Sequence, residues 1–348
     1  MRAIVTGSCG LVGYATCTRL LSEGYRVIGI DNDRRSFFFG PAGSTQPTLT
    51  ELTKNLNYTH HNTDIRSPKA QQLVEEGADL IVHCAAQPSH DWAASNIAED
   101  FGINAGGTLN ILQGWYRYCK ASSQGPIPFI HVSTSKVYGD NPNTLITYAE
   151  LPTRYEPIGL QYQNGIPTDF PIDNCLHSFF GVSKLSGDLM AQEFGKYYGL
   201  PIGIFRPGCI TGANHKGVEL HGFLQYLAQC VATGKQYTIY GYKGKQVRCN
   251  IHAEDLVNAF MLYASRPTPG AVYNMGGRGL DCSLLEAVTT FERLFSRKAA
   301  LCYTNTPRIG DHQWWISDAT QAKLELGWSP KRTLASTYAE LSDSLKQA

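Results

Sequence analysis

A glycine-rich turn directly after an apolar run is the feature that most restricts how this chain folds. Residues 7–13 read GSCGLVG, and residues 3–5 before them are Ala-Ile-Val. In such a turn Gly7 permits the tight bend, Gly10 lets a ligand approach the backbone, and Gly13 lets the next helix pack closely. The start of that helix presents unpaired N–H groups to an anion. The pattern predicts a Rossmann-type unit that holds the pyrophosphate of a dinucleotide.

An acidic residue at the end of the second apolar run indicates which dinucleotide binds. Asp31 closes the run VIGID, where a carboxylate accepts hydrogen bonds from the adenosine ribose hydroxyls. Because this carboxylate would repel a 2′-phosphate, NAD is favoured over NADP. Two alternatives stay open. Arg34 and Arg35 are able to neutralise a phosphate, and the same residues also suit an ordinary strand-to-helix turn in which Asp31 caps a helix.

Apolar runs of strand length alternate with helix-like segments through the first part of the chain. The first helix-like segment covers residues 11–23, and the runs lie at residues 3–5, 26–30, 80–83, 129–132 and 202–205. This alternation predicts an α/β fold with a doubly wound parallel sheet of the Rossmann type.

The chain is long enough for one large domain with a smaller lobe. We expect a Rossmann domain over residues 1–207 that carries an irregular insertion at 145–174 over the site, and a C-terminal α/β substrate-binding lobe over 208–348. The chain is expected to cross back to the Rossmann domain near residues 250–265. Short mixed elements assigned to the lobe lie near residues 237–242, 272–277 and 301–304.

Composition excludes several classes of partner. The formal net charge is +1, and the charged residues form no basic stripe or tail, which argues against nucleic acid and anionic membranes as partners. The ten cysteines are scattered without a CxxC pair or a Cys/His cluster, so neither a metal site nor a disulfide framework is predicted. With no signal-peptide pattern and no long apolar stretch, we expect a soluble cytoplasmic protein.

Several short segments, in order, give the chain a family resemblance. They are DIR at 64–66, HCAAQ at 83–87, NAGGT at 104–108, STSKVYG at 133–139, SK at 183–184, GKQVR at 244–248, IHAED at 251–255, YNMGG at 273–277 and RIGD at 308–311. Over nearly its whole length the chain resembles the extended short-chain dehydrogenases/reductases that act on nucleotide sugars. Within that superfamily it looks most like the CDP-tyvelose (CDP-paratose) 2-epimerases, through its STSKVYGD, Thr-Arg-Tyr (153–155), Asn-Gly (164–165) and His-Ser (177–178) segments.

The resemblance implies a set of site residues. Thr134 would hydrogen-bond the sugar hydroxyl, Lys184 the nicotinamide ribose, and Asn104 would order the central helix. Arg248 and Arg308 would clamp the diphosphate, which suits guanidinium forks, although an isolated arginine also suits a surface ion pair. The expected cofactor contacts are Gly7, Cys9, Gly10, Leu11, Val12, Asp31, Asn32, Arg35, Asp64, Ile65, Ala85, Ala86, Gln87, Asn104, Lys184 and Pro207. The expected substrate contacts are Gln87, His90, Thr134, His177, Phe180, Gln246, Arg248 and Arg308.

One departure from the superfamily concerns the chemistry directly. Four residues before the lysine the superfamily carries a tyrosine whose phenolate removes the hydroxyl proton, and this chain has Phe180 there. A phenyl ring cannot accept a proton, so either another group transfers the proton or the chemistry differs. His177 is our first candidate, and Thr134 and Ser135 are candidate relays. The expected catalytic set is therefore Thr134, Ser135, His177 and Lys184, with His90 and Asp91 as further candidates.

Two other departures from the superfamily concern the type of reaction and the residues that would bind the diphosphate. Dehydratases of the superfamily carry Thr-Asp-Glu where this chain has Thr134-Ser135-Lys136, so the acid pair that expels water is missing. Cys249 stands after Arg248 where an aspartate is common, which removes an expected partner of the phosphate clamp.

The sequence as a whole predicts an NAD-dependent epimerase of carbohydrate biosynthesis. The substrate would be a nucleotide-activated, CDP-linked sugar that passes through a transient ketone at C2. Two alternatives stay open: another NAD-dependent oxidation or dehydration with a different base, and a retired member that only binds its ligands. Members of this type pair through two helices, so we expect a homodimer through residues 104–118 and 183–198, although their apolar stripes would also suit a core.

Overall fold

A computed structural model describes residues 1–219 and 221–346. In chain order the strands are β1 (Arg2–Thr6), β2 (Arg26–Ile30), β3 (Tyr58–His61), β4 (Leu80–His83), β5 (Phe129–Val132), β6 (Tyr148–Glu150), β7 (Tyr155–Pro157), β8 (Ile202–Pro207), β9 (Cys209–Thr211), β10 (Tyr237–Tyr240), β11 (Val247–His252), β12 (Ala271–Met275), β13 (Asp281–Ser283), β14 (Leu301–Thr304) and β15 (Trp314–Trp315).

The helices alternate with these strands through the first half of the chain. The α-helices are α1 (Leu11–Ser22), α2 (Arg34–Phe39), α3 (Gln46–Leu52), α4 (Pro68–Glu75), α5 (His90–Ser95), α6 (Ile97–Phe101), α7 (Thr108–Ala121), α8 (Asn141–Leu145), α9 (Ser178–Tyr198), α10 (Phe223–Thr233), α11 (Ala253–Ser265), α12 (Leu284–Phe295), α13 (Thr320–Leu326) and α14 (Leu334–Lys346). Short 3-10 segments are Pro41–Gly43, Ser135–Tyr138 and Tyr242–Gly244, and a π-helical segment, Gly102–Gly107, precedes α7.

Seven parallel strands form the central sheet in the order β12-β8-β5-β4-β1-β2-β3. β1 pairs with β2 on one side and with β4 on the other. Since the strand order reverses there, a crevice opens beyond the carboxyl ends of β1 and β4. The doubly wound α/β sheet predicted from the sequence is confirmed, and the runs at 26–30, 80–83 and 129–132 coincide with β2, β4 and β5.

Both faces of the sheet are covered, which explains why its strands are apolar without a polar face. Ala3 and Val5 on β1 join a core that also contains residues of α1 and α11. Ile4 points the other way, into a core with residues of α4, α7 and α9, because successive side chains on a strand alternate between the faces. The sheet is therefore a rigid platform beneath the crevice.

The later part of the chain forms small sheets and then returns to the large one. Strand β11 pairs with β9, β13 and β15, and β10 pairs with β14. After β11 the chain continues through α11 to β12, which pairs with β8 at the edge of the central sheet, Tyr273 opposite Phe205. The assignment of the apolar run at 272–277 to the lobe was therefore wrong, because residues 271–275 complete the central sheet. The boundary at residue 207 stays a prediction.

The segment 145–174 is more ordered than its composition indicates. β6 and β7 form an antiparallel pair, and Ile166 and Phe170 are buried in one cluster with Trp314 and Trp315. This segment therefore packs on the small sheet around β15. Among the helices of residues 1–219 and 221–346, none has the length and apolarity needed to cross a bilayer.

Candidate active site

A cavity of about 460 Å³ opens at the carboxyl ends of the central strands, a size typical of ligand-binding clefts. Most predicted site residues line it: Gly7, Cys9, Gly10, Leu11, Val12, Asp31, Asn32, Arg35, Asp64, Ile65, Ala85, Ala86, His90, Thr134, Ser135, Phe180, Lys184, Pro207, Gln246, Arg248 and Arg308. Gln87, Asn104 and His177 do not line it, and neither do residues 145–174. The expectation that this segment lies over the site was therefore wrong.

The glycine turn is built for close backbone approach. Gly7 has a φ of +65°, and a Cβ on it would lie 2.7 Å from the Ala85 backbone nitrogen. A Cβ on Gly13 would lie 2.0 Å from the Gly7 carbonyl oxygen. Any side chain at these two positions would push the turn and α1 apart.

The start of α1 fits the pyrophosphate of a dinucleotide. Within the described residues, no side chain caps this helix end and its first turn carries no acidic residue. The first N–H groups of a helix have no partner inside it, and here Leu11 and Val12 border the cavity. The residues present therefore fit an anionic group at this place.

Asp31 occupies the position expected for the adenosine ribose. Its carboxylate accepts hydrogen bonds from the backbone N–H of Cys9 at 3.0 Å and of Asp33 at 2.8 Å. Burial raises the pKa of Asp31, while these two hydrogen bonds act in the opposite direction. Since an ionised carboxylate offers about four lone-pair sites, it retains capacity for ribose hydroxyls.

Arg34 and Arg35, which left NADP as an alternative cofactor, both have partners within the protein. Arg34 is ion-paired with Glu99 and lies 4.5 Å from the centre of the Phe37 ring. Arg35 donates to the carbonyl oxygens of Gly43 at 3.2 Å and Lys216 at 2.8 Å. These contacts favour NAD.

Asn104 and Gln87 lie behind the cavity wall. The Asn104 side chain accepts from the Gln87 backbone nitrogen at 2.8 Å and donates to the Gln87 carbonyl at 3.0 Å and to Ser183 at 3.0 Å. This geometry matches the ordering role expected of Asn104, which stays a prediction. The Gln87 side chain is turned towards Ser89, so the structure does not bring it to a ligand.

The reactive end of the cavity gathers residues from β5 and α9. Thr134 and Ser135 follow β5, while Phe180 and Lys184 lie one helical turn apart on α9. The Lys184 ammonium donates to the Val132 carbonyl at 2.9 Å. Burial lowers the pKa of Lys184 to about 8. Phe180 is 7% exposed and borders the same space.

His177, our first candidate for the proton acceptor, is turned away from the cavity. Its Nε2 lies 2.6 Å from the Ile172 carbonyl oxygen, and its ring packs against Gly139, where a Cβ would lie 3.1 Å from Nδ1. Ser178, the first residue of α9, has a φ of +60° and turns the chain after His177. The hypothesis that His177 acts on substrate is therefore not supported by its position.

Lys136 is a cavity residue that our sequence reasoning used only to argue against dehydration. Its ammonium donates to the Gly310 carbonyl at 2.8 Å and lies 3.8 Å from an Asp311 carboxylate oxygen. Burial lowers the pKa of Lys136 to about 8, and Asp311 opposes that effect. The sequence feature that indicates its place in the cavity is the STSKVYG segment, to which Lys136 belongs and which directly follows β5.

The two arginines expected to clamp phosphate border the far side of the cavity. Arg248 donates to Asp311 at 2.5 Å, and Arg308 pairs with Asp91. Asp311 therefore gives Arg248 the carboxylate partner that an aspartate at position 249 was expected to supply. Cys249 is buried, with its sulfur accepting from the Gly277 backbone nitrogen at 3.1 Å.

Comparison with known proteins agrees with this geometry. Residues 3–276 match the model of the NAD dependent epimerase/dehydratase family. The chain belongs to that family. NAD is therefore its cofactor, and the preference read from Asp31 is confirmed.

Curated relatives of this family member cover almost all of it. It is 29% identical over 342 residues to CDP-paratose 2-epimerase of Salmonella typhi, covering 95% of both chains. It is 25% identical over 356 residues to a dTDP-glucose 4,6-dehydratase of Escherichia coli, covering 96% of this chain and 90% of the other.

A solved relative agrees in fold. UDP-glucuronic acid 4-epimerase from Bacillus cereus, in complex with UDP-glucuronic acid and NAD, gives a TM-score of 0.82 at 23% identity, covering 100% of this chain and 99% of the other.

Proposed function

We propose that this chain is an NAD-dependent epimerase of a nucleotide-activated sugar. Relatives of both kinds, an epimerase and a dehydratase, resemble it over nearly their full length, so the site must decide between the two reactions. The observation that carries the proposal is that Ser135 and Lys136 stand at the reactive end of the cavity, where a dehydratase needs an acid pair. A site with Thr134 and Lys184 but without that pair suits oxidation and re-reduction of one carbon.

The proposed roles follow from where the residues lie. When bound, NAD supplies a reversible hydride acceptor. The start of α1 binds its pyrophosphate, Asp31 its adenosine ribose and Lys184 its nicotinamide ribose. Thr134 orients the sugar hydroxyl, and Arg248 and Arg308 exchange their carboxylate partners for the substrate diphosphate.

One relative supports the proposed carrier nucleotide and the proposed carbon, and one feature of the cavity supports the nucleotide. The Salmonella typhi relative is named for CDP and for C2. Gln246 Oε1 and Asn250 Oδ1, both on residues that line the cavity, are buried acceptors without a hydrogen-bond partner among the described residues. A buried acceptor without a donor is costly, and the amino group of cytosine is such a donor. We therefore propose a CDP-linked sugar that reacts at C2.

A panel of CDP-, UDP-, GDP- and dTDP-sugars tests the proposal. Each sugar is incubated with the purified protein, the products are resolved by chromatography and NMR, and absorbance is followed at 340 nm. We expect an inverted CDP-sugar without net NADH. Stoichiometric NADH would indicate net oxidation, and loss of water from the sugar would indicate dehydration.

A second candidate function rests on Phe180. A buried phenyl ring at the position of the superfamily's proton acceptor is the feature expected of a member that binds NAD and a nucleotide sugar without turning them over. If every sugar in the panel were returned unchanged while NAD still bound, binding alone would be the function.

We also propose a homodimer through α7 and α9. Several large apolar side chains of α9 are exposed, with Leu189 at 41%, Tyr197 at 78% and Tyr198 at 47%. Exposed apolar clusters of this kind mark interaction surfaces.

We propose a cytoplasmic location as well. The ten cysteines are free thiols, which supports this location.

A further inference from the structure

We propose that His90 takes the place of the missing tyrosine and accepts the proton of the sugar hydroxyl. The inference rests on the proposed epimerase function. It names a proton acceptor for that reaction, in which Phe180 cannot act. His90 begins α5, in the loop after β4, and lines the cavity together with Thr134 and Phe180.

The imidazole lies directly against the ring that replaces the tyrosine. The centres of the His90 and Phe180 rings are 4.6 Å apart, and the planes are tilted by 53°. A hydroxyl placed to meet a phenolate at position 180 would therefore come close to this imidazole. His177 has no such contact, since it faces Gly139.

The other side of the imidazole is held in place. Its Nδ1 lies 3.0 Å from Ser178 Oγ, which also accepts from the Gly181 backbone nitrogen at 3.2 Å. Gly310 packs so closely that a Cβ there would lie 3.0 Å from Nδ1. Nε2 has no hydrogen-bond partner among the residues that the structure describes. One ring nitrogen is thus fixed, and the other is left for a ligand.

Burial, together with the cations nearby, keeps the imidazole neutral. Burial, with Lys136 and Arg308, lowers the pKa of His90 to about 3, and Asp311 opposes this. At pH 7 the imidazole therefore has a lone pair to offer. The titratable and charged groups on the elements around it are Asp91, Lys136, His221, Arg308 and Asp311.

A weak base suffices for this step. As hydride leaves the carbon, the attached hydroxyl becomes a protonated carbonyl, which is far more acidic than an alcohol. The O–H proton would move to Nε2, the hydrogen on that carbon would leave as hydride with the C–H electron pair and be taken up by the NAD that the cavity would hold, and a ketone would remain. On return, hydride reaches the opposite face and the imidazolium gives its proton back to oxygen, so no proton or electron is gained or lost.

Lys136 is the rival proton acceptor nearby. With a pKa of about 8 it is mostly an ammonium at pH 7, and it donates a hydrogen bond to the Gly310 carbonyl. If Lys136 were the base, kcat/KM would fall as the pH drops below about 8. With His90 as the base, kcat/KM stays level from pH 5 to 7.

The direct test is His90→Gln, which keeps polar atoms at the site but cannot take up a proton. We expect turnover to fall about 100-fold or more, the usual contribution of a general base, while KM and NAD affinity change less than about threefold. Adding Phe180→Tyr to His90→Gln should recover part of kcat, because a phenol then stands beside Lys184. His177→Gln is the matched control, since the glutamine can still donate to the Ile172 carbonyl, and we expect it to keep wild-type turnover.

A second readout does not depend on turnover. In protein labelled with 13C at histidine Cε1, the signal missing from His90→Gln identifies His90. We expect this signal to be that of a neutral ring from pH 5 to 8, and to shift when a CDP-sugar binds.

Three results would overturn the proposal. They are wild-type turnover in His90→Gln, a charged His90 at pH 7, and a kcat/KM that falls below pH 8. An inactive wild-type protein would overturn the epimerase function as well, whereas an active wild type with an equally active His90→Gln would overturn this inference alone.

Discussion

Asp31 is a carboxylate that both supports the local fold and borders the cavity. Its two oxygens each accept one backbone N–H, from Cys9 and Asp33, and so fix the glycine turn relative to the end of β2. The lone pairs left over border the cavity, where the adenosine ribose is proposed to bind.

Replacing this carboxylate should weaken NAD binding. Asp31→Asn removes the charge that strengthens hydrogen bonds to the ribose, which contribute about 1.5–3 kcal/mol each. We expect the Kd for NAD, measured by calorimetry, to rise about 10- to 100-fold. The control is Asp79→Asn, because Asp79 also accepts a backbone N–H, from Arg2, but lies outside this cavity. An unchanged Kd in Asp31→Asn would remove the ribose role.

The residues around Phe180 were harder to predict than those expected to bind the cofactor. Gly7, Gly13 and Asp31 act through local backbone geometry, which a short motif encodes. His177 is close to Phe180 in sequence, but the turn at Ser178 points it to the other side. His90 reaches Phe180 across 90 residues of chain, a contact that only the folded sheet creates.

Helix α9 is the element that links the reactive site to the core. Phe180, Lys184 and Asp188 are spaced by four residues, so they share one face of the helix. Asp188 is fully buried and accepts from Arg206 at 2.7 Å and 2.9 Å and from Ser133 at 2.5 Å. One carboxylate thereby fixes α9 to β8 and to the end of β5.

Asp188→Asn should destabilise the fold strongly. It leaves the Arg206 guanidinium buried without its counter-charge, which typically costs 3–5 kcal/mol. Urea unfolding measures this loss, and Asp343→Asn, at an exposed pair with Lys346, should change the free energy of unfolding by less than about 0.5 kcal/mol. A loss as small as that of the control would contradict the account.

The same pair has a pH signature. The Arg206 guanidinium and its hydrogen bonds lower the pKa of Asp188 despite burial. A lowered folded-state pKa adds stability above the unfolded value of about 3.9, and that stability is lost as the pH falls through the folded value. The difference between wild type and Asp188→Asn should therefore shrink below about pH 4.

Elements with strong local patterns were predictable, and those defined by distant pairing were not. β2, β4 and β5 match the apolar runs residue for residue, because parallel strands buried on both faces are continuously apolar. β12 is equally apolar, yet its partner β8 lies more than 60 residues earlier. Nothing in the run itself says which sheet it joins.

At the scale of the whole molecule, one cavity is completed by both parts of the chain. Thr134, Phe180 and Lys184 come from the first 207 residues, and Arg248 and Arg308 come from the later ones. The chain's return through α11 and β12 anchors the later part to the central sheet. In the proposed dimer, one face of α9 would border the cavity and another face would form the interface between the two copies.

A charge in the exposed apolar surface of α9 should break that dimer. Tyr197→Glu places a carboxylate where two copies would meet, so we expect a monomer by light scattering while wild type is a dimer. The control is Tyr303→Glu, at a 53% exposed tyrosine on β14. A dimeric Tyr197→Glu protein would place the interface elsewhere.

The most direct test of the central claim follows the hydrogen at the reacting carbon. A CDP-sugar with deuterium at C2 is incubated with the protein, and the product is examined by NMR and mass spectrometry. If hydride leaves and returns within one closed site, the inverted sugar keeps its deuterium at C2 and no NADH accumulates. Deuterium lost to water, or found in released NADH, would contradict the proposal that this chain is an epimerase working through a transient ketone.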